Sequence, residues 1–130
     1  MASNLEVDSI SKGATTVNTD EIVDNSSNQI CKAWVNFNGS GTVAIRDSFN
    51  VSSITDNGTG DYTMNFSNNM ANINYSFISK ANYSNVGNTW HPYAVSKSTN
   101  LTSSQRFVVT ADRGASAEDV SYVETLVFGD

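Results

Sequence analysis

Strict alternation of apolar and polar residues is the feature that most constrains this chain. Tyr62, Met64 and Phe66 alternate with Thr63, Asn65 and Ser67. Successive side chains of an extended strand point to opposite faces, so this run reads as a half-buried strand. The same period recurs at Ala33, Val35 and Phe37, at Phe49 and Val51, at Ile73, Tyr75 and Phe77, and at Phe107, Val109 and Ala111. A last apolar run covers Tyr122 to Phe128. Turn-forming runs separate these segments, among them Asn38-Gly39-Ser40-Gly41 and Asp56-Asn57-Gly58-Thr59-Gly60-Asp61. No longer window carries a helical stripe, and a short helical turn fits only Asn68–Asn72. The expected fold class is therefore all-β, with six to eight strands in an antiparallel β-sandwich or jelly-roll arrangement.

Composition supports that class. Only 15% of the 130 residues are charged, against about 25% in ordinary soluble domains. Asn, Ser and Thr take their place, and such side chains compete for nearby backbone groups and disfavour helix interiors. Residues 1–30 are polar, with isolated apolar positions at Leu5, Val7, Ile10, Val17, Ile22 and Val23. They read as an extended N-terminal arm or linker, and residues 31–130 as the β domain.

The net charge of −6 and the absence of any Lys/Arg cluster argue against nucleic acid and anionic membranes as partners. No segment approaches the roughly 20 apolar residues of a membrane span, and Met1-Ala2-Ser3-Asn4 lacks a signal-peptide layout. Eight Asn-x-Ser/Thr triplets, at Asn25, Asn38, Asn50, Asn57, Asn65, Asn74, Asn82 and Asn100, are then by-products of composition. Cys31 is the only cysteine, which excludes an intrachain disulfide and reads as a partly buried thiol or one that meets its copies in an oligomer.

Three constellations have chemical readings. Residues 56–61 fail the calcium-loop pattern, because Gly60 stands fifth, Asp61 sixth and Ser67 twelfth; a hairpin turn accounts for them. Glu118, Asp119 and Glu124 have the residue types of a glycosidase pair, but Glu118 and Asp119 read as a solvated turn. Trp90-His91-Pro92-Tyr93 contains the only His and the only Pro, without a nucleophile motif nearby. Its readings are a loop packed on the sandwich edge, a ligand contact, or a metal held by three copies of His91 about a threefold axis. No catalytic residue, metal site or cofactor follows. The irregular 83–101 segment breaks the alternation and combines aromatics with Asn and Ser. It supplies the candidate receptor or ligand contacts Tyr83, Trp90, His91 and Tyr93.

Lys32-Ala33-Trp34-Val35-Asn36-Phe37-Asn38-Gly39 and Gly41-Thr42-Val43-Ala44-Ile45-Arg46, continued by Ser48 to Phe66, resemble a recurrent block of phage and prophage tail-fibre-like proteins. Leu5-Glu6-Val7-Asp8-Ser9-Ile10 is similar to the opening of those proteins. Asn69-Met70-Ala71-Asn72 stands where they carry a Pro-containing turn, and Asn82–Ser104 has no counterpart. The resemblance implies a non-enzymatic virion protein of a tail appendage, assembled in the host cytoplasm. It further implies a homotrimer, other tail proteins as partners, and a glycan or protein of the host surface as receptor. A lectin-like carbohydrate-binding module with a defined pocket near Trp90 and Tyr93 is the rival reading, and a polysaccharide depolymerase the remote one.

Overall fold

The computed structural model describes residues 9–12, 15–18, 30–83, 93–96, 98–110 and 116–129. Among the described residues ten strands form: β1 (Ser9–Lys12), β2 (Thr15–Asn18), β3 (Cys31–Asn38), β4 (Ala44–Phe49) and β5 (Val51–Gly58). They continue with β6 (Asp61–Phe66), β7 (Ser76–Asn82), β8 (Tyr93–Ser96), β9 (Ser104–Thr110) and β10 (Tyr122–Phe128). Strands β1 and β2 pair as a hairpin within the segment read as a polar arm. The other eight make two four-stranded antiparallel sheets, in the orders β4-β3-β10-β7 and β5-β6-β9-β8. Their inward side chains meet in one core, so the all-β sandwich expected from the alternation is what the chain forms. No helix occurs among the described residues, and Ser67–Ile73 runs through bends instead of the helical turn that fitted 68–72.

Period-two patterning places the core. In β3, Ala33, Val35 and Phe37 are buried while Trp34 and Asn36 point the other way. Strand β6 buries Tyr62, Met64 and Phe66, and β10 buries Val123, Thr125 and Val127. Phe37 from one sheet meets Tyr62 and Phe107 from the other, with ring centroids 5.1 and 6.2 Å apart in edge-on geometry. Edge-to-face contact satisfies the ring quadrupoles while removing large apolar areas from water.

Two polar groups inside are matched in pairs. Gln105 is fully buried; its Oε1 accepts from Tyr75 Oη at 3.1 Å and its Nε2 donates to the Arg106 carbonyl at 2.9 Å. Thr125 donates to Met64 Sδ at 3.3 Å across the two sheets.

Phe49 and Val51 do not belong to one strand, although their alternation reads that way. Asn50 between them has φ of 55°, in the left-handed region that Asn tolerates. There the chain leaves the first sheet and enters the second, so Phe49 ends exposed and Val51 buried. The Asn50 side chain ties the corner: Nδ2 donates to the carbonyls of Lys32 and Asn68, and Oδ1 accepts from the Asn68 amide at 2.7 Å.

Candidate functional site

The two outer faces of the sandwich differ in chemistry. On the β5-β6-β9 side, small polar side chains satisfy one another. Asn65 Nδ2 donates to the hydroxyls of Ser53 and Thr55, and Asn57 Nδ2 donates to Thr63 Oγ1. Arg106 grips Asp61 with two 2.9 Å bonds, which hold its guanidinium pKa above the usual value. Among the described residues, Val95 of β8 is the large apolar side chain left exposed on that side.

The β4-β3-β10-β7 face is different. Register places Phe49 opposite Trp34, Trp34 opposite Leu126, and Leu126 opposite Ile78. Four large apolar residues thus cross all four strands in one row on the solvent side. Phe49 is 54% exposed, Ile78 55% and Leu126 37%, values that mark them as uncovered rather than grazed by solvent. A row of this size on an outer face costs solvation that an isolated protein gains nothing from, which is why such rows mark contact surfaces.

The neighbouring row is polar: Asp47 opposite Asn36, Asn36 opposite Glu124, and Glu124 opposite Lys80. It is internally connected. Arg46 Nη1 donates to Asn36 Oδ1 at 3.1 Å, Asn36 Nδ2 donates to Glu124 Oε1 at 3.2 Å, and Lys80 Nζ lies 3.6 Å from Glu124 Oε2. Arg46 also donates to the Ser121 carbonyl at 2.6 Å and lies 4.3 Å from the centre of the Tyr122 ring. A bulge between Asn36 and Phe37 aims Arg46 this way, since the extra residue of β4 sits at that point. Trp34, Asn36, Glu124 and Leu126 line a shallow hollow of about 230 Å³ on this face.

At one end of the sandwich a polar latch joins the sheets. Tyr62 Oη, on β6, lies 2.7 Å from the Gly39 carbonyl and 2.9 Å from Asp119 Oδ1, sharing its proton between them. Asp119 Oδ1 also accepts from the Gly60 amide at 2.7 Å. Burial, and then the Asp119 carboxylate, push the Tyr62 phenol well above its ordinary pKa. Asp119 is thus a structural acceptor, not merely a residue of the solvated turn expected at 115–119. Residues 56–61 do form the expected hairpin, with Gly58 and Gly60 at positive φ. Among the described residues, no group of three or more His, Cys, Asp or Glu is placed to hold a metal ion.

The contacts expected in the 83–101 segment fall only partly within the described residues. Tyr83 is half-buried and packs against the core. Tyr93 begins β8, in register with Thr110. Trp90 and His91 lie outside the described residues. Cys31 is half-buried, and its thiol donates to the Ala33 carbonyl at 3.2 Å. Sequence reasoning passed over Trp34, Phe49, Ile78 and Leu126. The signal for Trp34 was its parity, opposite to Ala33, Val35 and Phe37; the row itself needs the pairing of distant strands. Comparison with known proteins found no matching family model, no matching curated protein and no matching solved structure.

Proposed function

We propose that this chain is a non-enzymatic structural protein of a phage particle, part of a tail fibre or similar appendage, whose work is to be packed against other protein. The observation that carries the assembly role is the Phe49–Trp34–Leu126–Ile78 row, which crosses a whole sheet with Phe49, Leu126 and Ile78 uncovered and Trp34 half-buried. The phage assignment rests on the resemblance of residues 32–66. That resemblance extends the proposal to three copies per assembly, to other tail proteins as partners, and to a host-surface glycan or protein as receptor. A sandwich whose strands β7 and β8 are joined by a stretch of sequence rich in aromatics, Asn and Ser suits that last role, with Tyr83, Trp90, His91 and Tyr93 as the contacts. Among the described residues no helix is long and apolar enough to cross a membrane.

Antibodies against the β domain provide the test, applied to particles released from the host whose genome encodes the chain. Gold label on the appendages is the expected result; particles without label, from lysates that contain the protein, refute the assignment. One observation favours a carbohydrate-binding module as the second reading: Trp34 stands beside Asn36 and Glu124 around an open hollow. Binding of defined sugars on a glycan array, abolished by Trp34→Ala, would establish it.

A further inference from the structure

We infer that the β4-β3-β10-β7 face is the surface on which two copies of this chain pair about a twofold axis. The inference stands on the face alone and does not depend on the phage reading; it sets a twofold arrangement against the threefold one that the resemblance implies, and the mass of the assembly tells the two apart. Two adjacent rows carry it. The apolar row runs Phe49, Trp34, Leu126, Ile78 from the β4 edge to the β7 edge, and the polar row runs Asp47, Asn36, Glu124, Lys80 in the same direction. The polar row ends in an acid on one edge strand and a base on the other.

Consider a twofold axis between two such faces, parallel to the strands and midway between β3 and β10. It lays each row over its own copy and exchanges the ends. Phe49 then meets the partner's Ile78, and Trp34 meets the partner's Leu126. Asp47 meets the partner's Lys80 at both edges, while Asn36 meets the partner's Glu124. Isologous packing demands this kind of self-complementarity, and twofold pairs are the commonest oligomers. Facing sheets pack with their strands about 30° apart, which displaces edge positions by roughly 4 Å, within reach of a lysine side chain.

Size is adequate. Four strands about 4.8 Å apart and six to eight residues long give a flat footprint of about 450 Å² per copy. Side-chain relief raises the accessible area, so the pair buries close to the 1,200 Å² at the lower end of specific interfaces. Among the described residues, the opposite outer face, with its hydroxyl and amide groups bonded to one another, offers no comparable row.

The test uses the full chain in sedimentation equilibrium, together with charge exchange. Wild type is expected to show a monomer–dimer equilibrium in the micromolar range. Lys80→Glu and Asp47→Lys should each weaken it at least about tenfold, since every substitution counts twice across the axis. The double variant Asp47→Lys/Lys80→Glu should recover to within a few-fold of wild type. Both positions are exposed, and Lys80→Glu also loses the ion pair with Glu124 of its own chain, so folding is verified by circular-dichroism spectra that match wild type. As an independent measurement, Asp47→Cys and Lys80→Cys, each in a Cys31→Ser background, should when mixed be joined by a bismaleimide with a spacer of about 10 Å, the separation of facing sheets, and neither variant alone should cross-link to itself. Three results each overturn the inference: a monomer at high micromolar concentration, single substitutions without effect, or a trimer whose mass none of these changes alters.

Discussion

Removing one hydroxyl from the latch, by Tyr62→Phe, tests how the two sheets are held in register. The ring stays packed, because its contacts with Phe37 at 5.1 Å and Phe107 at 5.9 Å involve no hydroxyl. The loss is confined to the bonds with the Gly39 carbonyl and Asp119. Asp119 is exposed, retains the Gly60 amide and can take water in place of the phenol. Gly39 is buried, so its carbonyl is left without the Tyr62 donor in a place water reaches poorly. An unsatisfied buried acceptor costs about 1–3 kcal/mol, and a reasonable expectation is about 2 kcal/mol. In a domain of this size that lowers the thermal midpoint by roughly 6–10 °C. Urea unfolding at neutral pH, followed by tryptophan fluorescence, should show the midpoint shift with an unchanged slope. Tyr122→Phe is the control, since Tyr122 is 42% exposed and surface changes stay within about 0.5 kcal/mol. If the two variants are equally stable, the latch contributes nothing and the reasoning is refuted.

Further outcomes follow from the same geometry. Gly60→Ala should destabilise by about 3 kcal/mol or more, because φ is +66° and an added Cβ would lie 2.6 Å from both the Glu118 amide nitrogen and the Val109 carbonyl oxygen; equal melting of wild type and variant would contradict this. Asn50→Ala should cost about 2–3 kcal/mol and Asn50→Gly less, since glycine keeps the positive φ and loses only the side-chain bonds; the reverse order in urea would refute the corner assignment. Alkaline pH should weaken the fold. Burial pushes Tyr75 from its ordinary 10 up to about 12, and Tyr62 shifts in the same direction. Folded phenols therefore hold their protons more tightly than unfolded ones. Stability is full below pH 10 and falls as the pH rises towards 12, by about 2–3 kcal/mol for Tyr75 alone. A flat urea midpoint across that interval would contradict it.

Much of the strand pattern was legible because a side-chain period of two is a local property. Tyr62, Met64 and Phe66, or Ala33, Val35 and Phe37, announce a buried face without reference to any other strand, and all six are buried. The hairpin at 56–61 was equally readable, since glycine at positive φ is a local requirement of the turn. The low charge and the dominance of Asn, Ser and Thr over helix formers pointed the same way as the pattern.

Tertiary structure alone decided the rest. Alternation says which residues share a face, but not which strand lies beside which. Phe49 and Val51 share a parity in sequence and yet end on opposite sides of the molecule, because the left-handed turn at Asn50 moves the chain from one sheet to the other. Asp119 reads as a solvated turn residue until the fold brings it to Tyr62, 57 positions away. The row from Phe49 through Trp34 and Leu126 to Ile78 joins segments scattered across most of the domain. Local chemistry determined the strands and their inward faces; the register between distant strands, set only when the whole core closes, determined which side chains share the outer face.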